Sequence, residues 1–180
     1  MQPILDSSRL VLRPFLQSDA PAVQRLAGDR RIADSVTTIP HPYPDGAAET
    51  WIASHHPSFV AGSDITYAVM QREGGLLVGA VRLLDINTQH ARAELGYWTG
   101  VEFWGFGYCT EAVTRLIQFA NEHLGTTRII ARCFARNSAS ARVMEKVGLK
   151  KEGCLAKHFL KNGTYEDVLL YGLAVPERGK

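Results

Sequence analysis

Trp104-Gly105-Phe106-Gly107-Tyr108 lies between an alternating apolar stretch and a long amphipathic run, and its two glycines let the backbone bend and a ligand approach its amides closely. A helix beginning there would turn free N–H groups and the positive end of its dipole toward an anion, with a pyrophosphate as the natural candidate. The same Gly-x-Gly also serves as a plain tight strand-to-helix connection. Neither a third glycine at dinucleotide-binding spacing nor a GxxxxGK[ST] run is present. Just upstream, Ala91, Ala93, Leu95 and Tyr97 alternate with Arg92, Glu94, Gly96 and Trp98, so Glu94 falls on the face opposite the more apolar set. A carboxylate so placed suits a general base that frees an amine of its proton, or else a surface acid paired with Arg92 or Arg82. Cys109, at the start of the helical run, could be a thiolate with a lowered pKa, or could pack as a small hydrophobe. The six histidines show no HExxH or other clear ligand spacing, and Cys109, Cys133 and Cys154 form no CxxC pair, so no metal is expected.

The elements that must hold these groups can be read from periodicity. Leu10 to Phe15 alternates as a first strand, and Ser18 stands at an N-cap position before a helix over Ala20 to Ala27. Three prolines and Gly46 mark 37–46 as a loop, and 47–61 has helical character until Pro57 disturbs it. Ile65 to Arg72 and Leu76 to Ile86 flank Glu73-Gly74-Gly75 as a hairpin, followed by a strand from His90 to Trp98. Val113, Leu116, Ile117, Ala120 and Leu124 recur at helical spacing between Gly107 and Leu124. Thr127 to Ala135 then reads as a strand, and Asn137 caps a helix that ends at Gly148. Two last strands, Leu149 to Lys161 and Thr164 to Val175, meet at Asn162-Gly163, a signal for a type I′ turn.

With 180 residues, 46% of them apolar, the chain can bury one core, and a single domain over 1–180 is expected. A formal net charge of +2 gives no strong field for nucleic acid or an anionic membrane, and no aromatic–basic cluster supports nucleic-acid binding. Asp6, Arg9 and Arg13 interrupt the N-terminus, no run is long and apolar enough to span a membrane, and the cysteines form no disulfide framework, which together lead to the expectation of a cytoplasmic protein.

Three motifs then occur in order: Glu94-Leu95-Gly96-Tyr97-Trp98, Trp104 to Ala112, and Asn137 to Leu149. The series resembles the RimJ/RimL-type acetyltransferases of the GNAT superfamily. The likeness runs from Ser8-Arg9-Leu10-Val11-Leu12-Arg13 to the last hairpin with Gly163 and Asp167. It implies an α+β GNAT fold: a mixed, mostly antiparallel seven-stranded sheet flanked by helices. Its fourth and fifth strands (90–98 and 127–135) splay apart to admit the pantetheine arm of acetyl-CoA. It also implies direct acetyl transfer to a primary amine in a ternary complex, the acceptor being a protein N-terminus, such as that of a ribosomal protein, or a small-molecule amine. The second reading is a non-catalytic acyl-CoA-binding or regulatory domain of the same fold. Family members leave a homodimer open.

Carried over residue by residue, the resemblance assigns the main-chain amides of Phe103, Trp104, Gly105, Phe106, Gly107 and Tyr108 to the pyrophosphate of acetyl-CoA. The backbone of Tyr97, Trp98 and Thr99 pairs with pantetheine, Asn137 bonds the arm, and Arg142 meets the 3′-phosphate. Glu94 matches the family's acidic fourth-strand base. The tyrosine that many members use as acid is Met144 here, which leaves Ser140, one helical turn earlier, as proton donor to the departing thiolate or as part of the cap led by Asn137. Glu102 and Phe106 stand where the family often has Gln or Arg, and Lys or Arg. The acceptor pocket is expected from 29–61 and the last hairpin, with Tyr43, Trp51, Trp98 and His158 as candidate lining.

Overall fold

The computed structural model describes residues 1–175. Eight strands form one sheet: β1 (Leu5–Asp6), β2 (Leu10–Arg13), β3 (Ile65–Gln71), β4 (Leu77–Asn87), β5 (Arg92–Thr99), β6 (Arg128–Phe134), β7 (Lys150–Lys161) and β8 (Thr164–Ala174). Six helices accompany them: α1 (Ala20–Ala27), α2 (Arg30–Ser35), α3 (Ala47–Ala53), α4 (His55–Ala61), α5 (Tyr108–Leu124) and α6 (Ser138–Lys146). The strand order is β1-β2-β3-β4-β5-β6-β8-β7, and every neighbouring pair is antiparallel except β5 with β6. The expected seven strands become eight because Leu5 and Asp6 pair with Leu12 and Val11. Two residues are too few to show an alternation that sequence could reveal.

Helix α5 lies against the centre of the sheet because its apolar stripe is continuous: Val113, Leu116 and Ala120 are fully buried and Ile117 nearly so. It begins directly after Gly107 and is closed by Gly125, both left-handed (φ +80° and +64°). The last hairpin turns through Asn162 and Gly163 at φ +50° and +78°, the type I′ geometry expected of Asn-Gly.

Two local expectations are corrected. Ser18 is not the cap of α1: residues Gln17–Asp19 form a 3₁₀ turn, and Asp19 directly precedes the helix. The Asp19 carboxylate accepts from the Leu16 amide at 2.8 Å and from both Arg13 Nη atoms at 2.7 and 2.8 Å. Burial raises its pKa, but the Arg13 fork and the Leu16 amide outweigh burial and hold it below the usual carboxylate value. Its stabilisation is therefore present at neutral pH and is lost as pH falls through that depressed value. Pro57 does not break the second helical stretch either. The break falls at Ser54, and Pro57 is the third residue of α4, where its missing N–H has no intrahelical partner to lose.

The consequence for chemistry lies between β5 and β6. They pair only from Arg92↔Arg128 to Leu95↔Ala131. Beyond that, β5 stays with β4 as far as Gly79↔Thr99, while β6 stays with β8 as far as Phe134↔Val168. The sheet therefore opens into a V, and among the described residues the β6-facing edge of 96–99 has no strand partner. No helix among the described residues is long and apolar enough to cross a membrane.

Candidate active site

A cleft of about 860 Å³ passes through this V. On one side it is bounded by the turn before α5 and by α6, on the other by β4, β5, the chain after α2 and the start of the last hairpin's tip. The family motifs are thus brought to one cavity by three elements that sequence placed correctly.

The turn before α5 is held open by Gly105 (φ +84°) and Gly107 (φ +80°). Phe103 and Trp104 line the cleft, but their N–H groups donate to Gly100 and Val101 within a 3₁₀ turn. Among the described residues the N–H groups of 105–107 have no such bonds, and the first turn of α5 adds more free donors, so the free amides of this turn run over 105–110, whereas those of Phe103 and Trp104 are already engaged. The Trp104 indole N–H donates to the Thr99 carbonyl at 2.8 Å, fixing the turn to the end of β5. Arg9 clamps it from outside: its Nη1 donates to the Phe106 carbonyl at 2.9 Å, its Nε to Glu111 at 2.7 Å, and its guanidinium lies over the Tyr108 ring. Glu111 also accepts from the Ser7 hydroxyl and the Arg9 amide. The Phe106 side chain stacks on Tyr108 and does not enter the cleft. The Arg9–Glu111 clamp was not foreseen, because nothing in the spacing of residues about a hundred positions apart reveals it.

Glu94 lines the cleft from β5, on the face opposite Tyr97 that alternation assigned to it. Its partner is neither Arg92, which pairs with Asp85 at 3.0 Å, nor Arg82, which meets Asp64 at 3.4 Å. Arg132 on β6 grips both carboxylate oxygens, with Nε on Oε1 at 2.9 Å and Nη2 on Oε2. Parallel register explains the choice: Glu94 stands beside Ile130, and Arg132 is the next residue on the same face. Each oxygen keeps further lone-pair capacity beyond this fork.

Ser140 faces Glu94 across the thickness of the sheet. Its N–H donates to Asn137 Oδ1 at 3.0 Å, so the cap exists as expected, and Asn137 Nδ2 also donates to the Ser35 carbonyl at 3.0 Å. Its hydroxyl lies 2.9 Å from the Tyr97 hydroxyl, which is also 3.0 Å from the Ser140 carbonyl. Burial pushes the Tyr97 phenol above its ordinary value, so it remains a proton donor through the neutral range. Sequence enlisted only the backbone of Tyr97, although the alternation that set Tyr97 opposite Glu94 already put its ring on the helix side. Trp98 lines the opposite wall. Arg142 lines the cleft from α6 and forms no ion pair among the described residues, and Met144, almost fully buried, also lies along the cleft wall.

The two cysteines that line the cleft, Cys109 and Cys133, are not set up as nucleophiles. Burial pushes the Cys109 thiol up to about 12 and the Cys133 thiol up to about 11, against the lowering that the helix terminus suggested for Cys109. Of the candidate acceptor residues, His158 lines the cleft with the chain from Ser35 to Ile39, but Tyr43 and Trp51 pack against the core instead. Trp51 meets Phe15 and His55 edge-on.

A glycine turn with free amides, an unpaired strand edge and a cleft leading from one to the other fit an extended anionic thioester such as acetyl-CoA. Comparison with known proteins agrees. The family described as "Acetyltransferase (GNAT) domain" matches residues 9–150. The ribosomal-protein-serine acetyltransferase of Escherichia coli (strain K12) is 30% identical over 53% of each chain. The spermidine N(1)-acetyltransferase of Vibrio cholerae (serotype O1, strain El Tor Inaba N16961) is 25% identical over 90% of this chain and 91% of its own. A structure of RimL, the ribosomal L7/L12 α-N-protein acetyltransferase in complex with coenzyme A, superposes with a TM-score of 0.87 at 21% identity, covering 96% of this chain and 98% of its own. The chain belongs to the GNAT acetyltransferases, a family of acetyl-CoA-dependent N-acetyltransferases.

Proposed function

We propose that this enzyme acetylates an α-amino group, that of a protein or peptide N-terminus or of a small amino compound, by direct transfer within a ternary complex. The observation that carries this reading is the single continuous cleft through the V, with free main-chain donors at 105–110 on one side and Glu94 on the other. A ribosomal protein is one protein acceptor of this class, in keeping with the relative from Escherichia coli.

In this reading the amides of 105–110 hold the pyrophosphate at the positive end of α5, and the free edge of 96–99 orders the pantetheine arm along β5. Arg142 supplies a cation for the 3′-phosphate, and Asn137 shapes the α6 wall beside the arm. Glu94 takes the proton from the acceptor ammonium, leaving a neutral amine to attack the thioester carbon. Main-chain donors along β5 face the carbonyl oxygen as negative charge develops there. The C–S bond breaks as the amide forms: the Ser140 hydroxyl, oriented by Tyr97, gives its proton to the departing sulfur and regains one from solvent, while the nitrogen's second proton and the one held by Glu94 pass to solvent, so one proton is released per acetyl transferred. With both cleft thiols held protonated by burial, no group is arranged to carry the acetyl in an intermediate step. Initial rates measured over a grid of acetyl-CoA and peptide concentrations are expected to give intersecting double-reciprocal lines. Parallel lines, with acetyl label retained on the enzyme, would show an acetylated intermediate instead.

A further inference from the structure

We infer that Arg82 is a specificity residue that binds an oxygen next to the acceptor's amine, so that the preferred acceptors carry a carbonyl or carboxylate on the amine-bearing carbon. This rests on the proposed α-amine acetylation and names the feature of the substrate that the cleft selects.

Arg82 stands on β4 opposite Gly96 of β5, on the face that carries Glu94. Its stem crosses β5 over that glycine: a Cβ at position 96 would lie 3.1 Å from Arg82 Cγ and 3.5 Å from Cδ. A side chain at 96 would displace the guanidinium from the cleft wall, where it stands near Glu94. The head group carries five N–H donors, yet among the described residues its hydrogen bonding amounts to one long contact, Nη2 to Asp64 Oδ1 at 3.4 Å. Its Nε is buried with no partner. Burial lowers its pKa from the ordinary arginine value, the mark of a cation taken from water with incomplete compensation. The side chain lines the cleft and is 30% exposed.

The balance of charge along the cleft favours the same oxygen-bearing acceptor. Around Glu94 its lining sets that one carboxylate against Arg82 and Arg132, and Glu94 is already gripped by Arg132. A polyamine brings a second ammonium that finds no free acid along this wall. An α-amine next to a carbonyl or carboxylate instead brings an acceptor for the guanidinium, and Glu94 remains for the ammonium. Arg82 thus fixes the amine at a set distance from the base.

The test compares two acceptors with similar side chains, alaninamide and isopropylamine, in the parent, Arg82→Met and Arg82→Lys. Methionine keeps an unbranched stem over Gly96 and removes every donor. A hydrogen bond to a charged group contributes about 1.5–3 kcal/mol, so Arg82→Met is expected to lower the kcat/KM preference for alaninamide about 10- to 100-fold. Lysine should restore part of that preference. Taking the ratio between variants cancels the different basicities of the two amines, and calorimetry with acetyl-CoA checks that the fold is retained. Equal losses on both amines, or no loss on either, would overturn the role of Arg82 while leaving α-amine acetylation standing. Turnover of spermidine with none of alaninamide or of a peptide would overturn the α-amine reading, and this inference with it.

Discussion

Glu94→Gln is expected to lower turnover on a peptide N-terminus by about 10²–10⁴-fold near neutral pH while leaving acetyl-CoA affinity nearly unchanged. The reason lies in the amine. An α-amino group has a pKa of about 7.7–8.0 and a lysine ε-amino group about 10.4, so at pH 7 removing the proton costs about 1 kcal/mol for the first and about 4.6 kcal/mol for the second. One carboxylate already engaged by Arg132 meets the smaller demand more readily. Glutamine keeps the shape and can still accept from Arg132 through its carbonyl, but it cannot take a proton. The deficit should shrink as pH rises and the amine becomes neutral without help. Parallel pH–rate profiles for parent and variant check this. A variant as active as the parent at neutral pH removes Glu94 from proton transfer and leaves it a structural partner of Arg132.

Gly107→Val is expected to weaken acetyl-CoA binding about 10- to 100-fold. A Cβ at this position meets nothing closer than Arg9 Nη2 at 3.5 Å, so space is not the obstacle. Torsion is, because a β-branched residue at φ +80° costs on the order of 1–3 kcal/mol, and each 1.4 kcal/mol is about tenfold in affinity. Relaxing that strain turns the amides of 105–110 away from a shared anion. Calorimetry with acetyl-CoA reads the effect, and circular dichroism confirms that the fold persists. Unchanged affinity would place the phosphate site elsewhere.

What could be read in advance follows how local each feature is. Alternation through 90–98 placed Glu94 on its face, the glycines at 105 and 107 marked the turn, and the 3.6-residue stripe marked α5, because each depends on a few neighbouring residues. Pairs set by strand register were not legible. Arg132 reaches Glu94 through parallel pairing, and Arg9 reaches Glu111 across the fold, at separations of 38 and 102 residues. The candidate acceptor residues were legible only as segments. Ser35 to Ile39, Trp98 and His158 line the cleft, but Trp51 and Tyr43 are partly buried against the core, where large aromatics most often pack. Cys109 shows two local signals in conflict, a helix terminus that favours the thiolate and burial that opposes it, and burial prevails.

Mass spectrometry can settle where the acetyl group goes. A short peptide with a free N-terminus and one internal lysine, incubated with the enzyme and acetyl-CoA and then fragmented, offers both kinds of amine on one molecule. The expected product carries a single acetyl group on the α-amine, with the lysine unmodified at early times. Acetylation of the lysine in preference, or an unmodified peptide while a polyamine in the same tube is consumed, would contradict α-amine transfer through the Glu94 side of the cleft.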